Sequence, residues 1–107
     1  MAVPIFIITK VVLDQSDQSY AQLISIDIPD GNTSPEEFAG AVAVMPDLSG
    51  PTPILITGRA PIWGYGMILH RAHATPAVAV FDPRLGGYVV VQSHTIANSI
   101  GYLIVIP

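Results

Sequence analysis

The sequence predicts an α/β fold in which a small mixed sheet is built around a central β-α-β unit. Residues 54–57 and 77–81 are short, continuously apolar segments of the kind that form buried strands. A helical segment that begins near Pro61 separates them, so we expect two parallel strands with a right-handed crossover. The length of 107 residues suits one domain, which we assign to residues 1–107.

The first half of the chain predicts a β-hairpin followed by a helix. Residues 5–13 and 20–28 are rich in Val and Ile and are joined by polar turn residues. Ser34 then offers an N-cap, Pro35 the first helical position and Glu37 the capping-box carboxylate, which predicts a helix to about Val44. A loop rich in Pro, Gly, Asp and Ser follows at residues 46–53.

The second half predicts one helix and two further strands. Pro61 suits the first helical position, and the helix should stop near His73, ahead of Thr75-Pro76. Its buried side would carry Trp63, Met67, Ile68 and Leu69. Gly86-Gly87 predicts a turn into a hairpin strand at residues 88–92, and residues 102–106 supply a closing strand.

Composition excludes several classes of protein. Charged residues make up only 11% of the chain, so we expect a homo-oligomer whose copies cover part of the surface. The net charge of -4 argues against coating of duplex DNA or long single strands. The absence of cysteine excludes disulfides and zinc-thiolate sites. No signal peptide or membrane-spanning run is recognisable, so we expect a soluble cytoplasmic protein.

The polar chemistry of the chain is concentrated between residues 59 and 94. This window holds three of the four basic residues and all three histidines, whereas seven of the eight acidic residues precede position 48. The carboxyl ends of the two parallel strands should bring Gly58 and Arg59 close to Asp82 and Arg84, where open α/β sheets usually bind ligands. Because Arg59 also precedes a helix N-terminus, this edge predicts a phosphate site.

The histidines are expected at the opposite edge of the sheet. His73 lies at the end of a helix that leads back to the second parallel strand, and His94 ends an antiparallel strand. A substrate that needs both arginines and histidines would therefore need a composite site between stacked copies.

Each group also has a purely structural interpretation. The arginines could brace loops, and Asp82-Pro83-Arg84 is a common turn sequence. His70 and His73, three residues apart, could bind a metal or simply complement the helix dipole. Adjacent residues on a strand point to opposite faces, which disfavours direct activation of Ser93 by His94.

The same motifs resemble a known family, the third Csx-type family of type III CRISPR systems. The motifs are TGRAPIW at 57–63, His70, HATP at 73–76, AVFDPRLG at 79–86 and VVQSH at 90–94. Members are small ring nucleases with a Rossmann-like or ferredoxin-like sheet related to CRISPR-associated sensor domains. The resemblance implies a manganese-dependent homodimer that stacks head to tail into tetramers or filaments and cuts cyclic tetra-adenylate to linear di-adenylates.

The resemblance also assigns roles to individual residues. Phosphate binding would fall to Gly58, Arg59 and Arg84. The catalytic residues would be His73, Asp82 and His94, and the same three together with His70 would be the candidate manganese ligands. The chain differs from the family at Ala74, where histidine is frequent, and by one additional residue at Gly86-Gly87-Tyr88.

Three other functions remain open at this point, and none involves a membrane or duplex DNA. Some members of the family are similar to manganese-dependent exonucleases that shorten RNA from an adenylate-rich 3′ end, so a short 3′-adenylated RNA is an alternative substrate. A receptor that binds the cyclic nucleotide without cleaving it is the alternative outside the enzymes. A structural subunit would bind no nucleotide at all.

Overall fold

A computed structural model describes residues 2–107 and contains a six-stranded sheet and two helices. The strands lie in the sheet in chain order: β1 (Ile5–Asp14), β2 (Ser19–Asp27), β3 (Ile54–Gly58), β4 (Ala77–Asp82), β5 (Gly87–Ser93) and β6 (Leu103–Ile104). The helices are α1 (Pro35–Ala43) and α2 (Ile62–Arg71), and a short 3-10 helix occupies Pro29–Gly31. Strands β2, β3 and β4 are parallel, and the other neighbours are antiparallel. The predicted α/β class and the parallel β3–β4 pair are confirmed.

The sheet buries apolar side chains on both of its faces. Both helices pack on one face, where Phe38 of α1 and Ile68 of α2 are fully buried with Ile54 and Ile56 of β3. Leu55 points to the other face and belongs to a second cluster that includes Ala79, Val90 and Ile104. Because β3 is buried on both sides, its sequence is continuously apolar rather than alternating.

The start of α1 follows the predicted capping pattern. Pro35 occupies the first turn, the Ser34 hydroxyl oxygen accepts a hydrogen bond from the Glu37 amide at 3.1 Å, and the same hydroxyl donates to the Glu37 carboxylate at 3.1 Å. These bonds satisfy one of the amides that a helix N-terminus leaves free and fix the direction in which α1 enters the core.

The second helix differs from its prediction at both ends. Pro61 is the N-cap rather than the first helical residue, since its ψ of 154° is extended. The helix ends at Arg71 with Ala72 as C-cap, so His73 lies beyond it. Trp63 is not a core residue: it is 39% exposed and contacts the buried Phe38 edge-on, with ring centroids 5.6 Å apart.

The C-terminal strands also depart from the sequence prediction. The closing strand β6 spans only Leu103–Ile104 instead of residues 102–106. In β5 the register shifts, because Ala79 pairs with Val90 whereas Val78 pairs with Gln92, which leaves Val91 as a bulge. No helix among residues 2–107 is long and apolar enough to cross a membrane.

Two glycines of α2 give a matched test of the packing between the helices. A Cβ at Gly64 would lie 2.8 Å from Cζ of Phe38, whereas a Cβ at Gly66 would meet no heavy atom within 4 Å. We expect Gly64→Ala to lower the free energy of unfolding by about 1–2 kcal/mol, since overpacking outweighs the gain in helix propensity. Gly66→Ala should raise it by up to about 1 kcal/mol. Urea unfolding of both variants measures the difference, and equal shifts would contradict this packing.

Candidate functional site

The carboxyl ends of β3 and β4 form one polar edge of the sheet, which we call the arginine edge: Gly58, Arg59, Asp82 and Arg84. Gly58 has a φ of +123°, and a Cβ at this position would overlap the Ile26 carbonyl and lie 2.9 Å from the Ile26 nitrogen. Only glycine fits such a backbone so close to β2. This turn directs the chain out of the sheet and leaves Arg59 exposed.

Tyr65 holds this turn in place. Its hydroxyl donates a hydrogen bond to the Gly58 carbonyl oxygen, and burial raises the pKa of Tyr65 above its ordinary value of 10.0, which keeps the phenol protonated and able to donate. Sequence reasoning missed this residue. The available signal was its position four residues after Pro61, because helical side chains lean toward the N-terminus and Tyr65 therefore reaches back to the β3–α2 turn.

The N-terminus of α2 adds backbone donors beside Arg59. No side chain caps this helix, in contrast to α1, which Ser34 caps. The first intrahelical bonds run from the Gly64 and Tyr65 amides to the Pro61 carbonyl, so the amides of Ile62 and Trp63 precede the helical ladder. An uncapped helix N-terminus next to an exposed arginine favours an anion.

Asp82 forms the turn between β4 and β5. Its Oδ1 accepts hydrogen bonds from the amides of Arg84 at 2.8 Å and Leu85 at 3.3 Å. Its Oδ2 lies 3.8 Å from Nη2 of Arg84, whose side chain is 90% exposed, so this ion pair is weak. The turn interpretation of Asp82 is therefore correct for one carboxylate oxygen, and the other oxygen accepts no amide hydrogen bond within residues 2–107.

The acidic residues precede the arginines in the sequence, but the fold does not keep the two groups apart. Asp27 ends β2 and lines the same cavity as Arg59 at the arginine edge. Asp14 and Asp17 instead belong to the β1–β2 turn at the other edge of the sheet. The clustering of acidic residues before position 48 is thus a property of the chain order and does not leave the arginine edge free of carboxylates.

The opposite edge carries the three histidines, and we call it the histidine edge: His70, His73 and His94 with Gln92. His73 Nδ1 donates to the His70 carbonyl at 2.8 Å, and His94 Nε2 donates to the His73 carbonyl at 2.9 Å. Gln92 Nε2 donates to the same His73 carbonyl at 3.1 Å. The structure therefore joins the segments that carry the predicted histidines through backbone carbonyls, and it adds Gln92, for which the sequence predicted no role.

These backbone contacts determine which imidazole nitrogens are free. With Nδ1–H of His73 and Nε2–H of His94 committed to carbonyls, the lone pairs lie on Nε2 of His73 and Nδ1 of His94 in the neutral rings. An imidazole fixed in this way is suited to bind a divalent metal or to transfer a proton. The Ser93 hydroxyl donates to the Thr95 carbonyl at 2.7 Å and is not paired with His94.

The bulge in β5 determines the position of His94. Because Val91 is extra in the ladder, Ser93 pairs with Ala77 and the His94 amide donates to the Pro76 carbonyl at 2.8 Å. The bulge leaves one residue of β5, Val91, without a partner on β4. His94 thus contacts the His73 segment.

One copy of the chain does not bring the arginine and histidine edges together. The five steps along β4 from Ala77 to Asp82 span about 16 Å. Within residues 2–107 no three metal-binding side chains are grouped, so neither the three predicted histidines nor Asp82 with them form a complete metal site in one copy. The third arginine of the window, Arg71, braces the end of α1 by donating to the Val42 carbonyl at 3.3 Å and to the Met45 carbonyl, just beyond the helix, at 2.6 Å.

The fold and the site define a small α/β domain that carries arginines and histidines on opposite edges of one mixed sheet. Residues 20–105 match the sequence model of the family described as CRISPR-associated protein (Cas_csx3), and the chain belongs to this family. The predicted resemblance to a Csx-type family is confirmed, and the protein has a CRISPR-associated function in antiviral defence.

A curated relative is similar to the chain over a shorter stretch. It is an "Uncharacterized protein" of Aquifex aeolicus (strain VF5), 51% identical over 51 residues. The match covers 48% of this chain and 46% of that protein, so the chain spans about half the length of the curated relative.

Two substitutions of Asp82 separate its role in the turn from its charge. Asp82→Ala removes the acceptor for the Arg84 and Leu85 amides and should lower the free energy of unfolding by about 1 kcal/mol. Asp82→Asn keeps an acceptor oxygen and should stay within about 0.5 kcal/mol of the wild type. Thermal and urea unfolding of both variants measure these changes in the free energy of unfolding. If Asp82→Asn unfolds as easily as Asp82→Ala, the charge rather than the turn stabilises this segment.

Proposed function

We propose that the protein is a ring nuclease, a metal-dependent phosphodiesterase that cuts cyclic tetra-adenylate into linear di-adenylates. The site would form between the arginine edge of one copy and the histidine edge of the next. The observation that carries this proposal is the placement of Arg59, after β3, and Arg84, after β4, at one edge of the sheet and of His73 and His94 at the other. Membership of the Cas_csx3 family supports it.

The two edges supply complementary chemistry. Arg59, Arg84 and the uncapped N-terminus of α2 can hold phosphates of a cyclic tetra-anion. The free imidazole nitrogens of His73 and His94 can move a proton at the ribose or the leaving oxygen. The histidine nitrogens and Oδ2 of Asp82 are donors that suit manganese, which when bound would stabilise the charge on the phosphate under attack.

Exposed apolar side chains at both edges favour contact between copies. At the arginine edge Ile62 is 91% exposed and Leu85 is 58% exposed. In the loop that follows His94, Ile96 is 99% exposed and Ile100 is 69% exposed. Head-to-tail stacking would remove these side chains from water and would join the two polar groups in a single site.

The first test is incubation of the purified protein with cyclic tetra-adenylate, with and without manganese, and chromatography of the products. We expect manganese-dependent linear di-adenylate from the wild type. His73→Ala should lower the cleavage rate at least about 100-fold, the usual contribution of a positioned acid or base, while affinity for the ring changes little.

Other products would support other functions. An intact ring that co-elutes with the wild-type protein would indicate a receptor. Loss of ring binding in His73→Ala would contradict its assignment as an acid or base. Release of adenylate from a 3′-adenylated RNA, with the ring left uncut, would indicate the exonuclease.

Mixing two inactive variants tests whether the site is shared between copies. Arg59→Ala removes a phosphate contact from one edge, and His73→Ala removes the acid or base from the other. In an equimolar mixture about a quarter of head-to-tail interfaces would combine an intact arginine edge with an intact histidine edge, so about a quarter of wild-type activity should return.

Lys10→Ala serves as the charge-matched control for Arg59→Ala. Lys10 lies on β1 with its ammonium 4.2 Å from the centre of the Tyr20 ring, and it belongs to neither edge. This variant should retain full activity on its own. A mixture of the two edge variants that stays as inactive as its components would place the whole site within one copy and would overturn the composite arrangement.

A further inference from the structure

The backbone carbonyl of His73 is held by side chains alone. Among residues 2–107 it accepts no hydrogen bond from a backbone amide, whereas Nε2 of Gln92 donates to it at 3.1 Å and Nε2 of His94 at 2.9 Å. The imidazole of His73 in turn donates to the His70 carbonyl at 2.8 Å. The position of this peptide group, between α2 and β4, therefore depends on two side chains from β5 and the residue that follows it.

The bulge in β5 directs Gln92 toward this carbonyl. Ala79, which belongs to the cluster on the helix-free side of the sheet, pairs with Val90. Its neighbour Val78 belongs to the cluster under the helices and pairs with Gln92. Residues that pair across an antiparallel ladder point to the same side, so Gln92 points to the side on which α2 lies. Without the extra residue, the alternation along β5 would turn Gln92 to the side of Val90, away from His73.

We propose that Gln92 is a positioning residue, whose amide fixes the His73 carbonyl and thereby the place of the His73 imidazole. This inference rests on the proposed function and deepens it, because His73 is the residue to which we assign proton transfer. A side chain that acts on a reacting atom has to be held to within about 0.5 Å of its working position, and the groups behind it supply that precision. Gln92 itself acts only through His73.

The second donor to this carbonyl explains why an amide is needed beside His94. A carbonyl oxygen has two lone pairs and can accept from both side chains at once. The His94 ring breaks its bond whenever the imidazole turns toward a substrate or a metal, whereas Gln92 has no part in that chemistry and can stay in place. The amide therefore holds the His73 segment while His94 moves.

Gln92→Met tests the contact without relying on ring cleavage, because methionine keeps the length of the side chain and removes the donor. In NMR relaxation of the full chain without nucleotide or metal, we expect amide order parameters near about 0.85 at His73 and Ala74 in the wild type and about 0.6 or lower in the variant. Gln22→Met is the matched control: Gln22 is also half-buried, and it pairs with Ile54 under the helices. It should leave these values unchanged. Unaltered order parameters in Gln92→Met would overturn the proposal.

Single-turnover cleavage of cyclic tetra-adenylate in the presence of manganese tests the role in the reaction. We expect Gln92→Met to slow cleavage by about tenfold to 100-fold, the usual loss when a group that orients an active-site histidine is removed, while affinity for the ring and the Tm stay unchanged. In the His73→Ala background the same substitution should have no further effect, because a positioning residue acts only through its partner. Losses that multiply would contradict the proposal, and so would a lower Tm with an unchanged rate, which indicates a purely structural role.

The proposed function and the positioning role fail separately. If the wild type leaves cyclic tetra-adenylate uncut but Gln92→Met loosens the segment at His73, the hold of Gln92 on this segment stands and the ring nuclease does not. If the wild type and Gln92→Met cut the ring at the same rate, the enzyme stands and the positioning role is wrong.

Discussion

The parallel pairing of β3 with β4 determines where each polar group of the protein can lie. Both strands are buried, so the polar side chains are confined to their ends and to the connections that follow. Crossover through α2 then places the segment after β3 and the segment after β4 at one edge, and the end of α2 at the other. The separation of the arginines from the histidines is a consequence of this connection and would persist in any sequence that folds the same way.

The central unit could be predicted because its signals are local. Continuous apolar runs mark β3 and β4, and Ser34 with Glu37 marks the start of α1. The edge that each motif occupies followed from topology alone. What could not be predicted depends on contacts between distant segments. The approach of Gly58 to Ile26 arises only when β2 lies against β3.

The errors in the sequence analysis have equally specific causes. Proline suits both the N-cap and the first helical position, so composition did not distinguish them at Pro61. Trp63 was assigned to the core because it is apolar, but Phe38 already fills the space between the helices and leaves the indole at its border. The bulge at Val91 lacks the glycine or proline that often marks such a position in a sequence. Residues 102–106 are rich in Ile and Val, but only Leu103–Ile104 form β6.

A site divided between copies links ligand binding to assembly. A ring that contacts both edges would stabilise the stack by mass action, because it binds only where two copies meet. While the ring is closed, contact at one edge holds the remaining phosphates near the other edge at a high effective concentration. Cleavage into two linear halves would remove that constraint, and each half would keep only its own contacts. Product release and loss of the stacked state would then have the same physical cause, which needs no conformational change within the sheet.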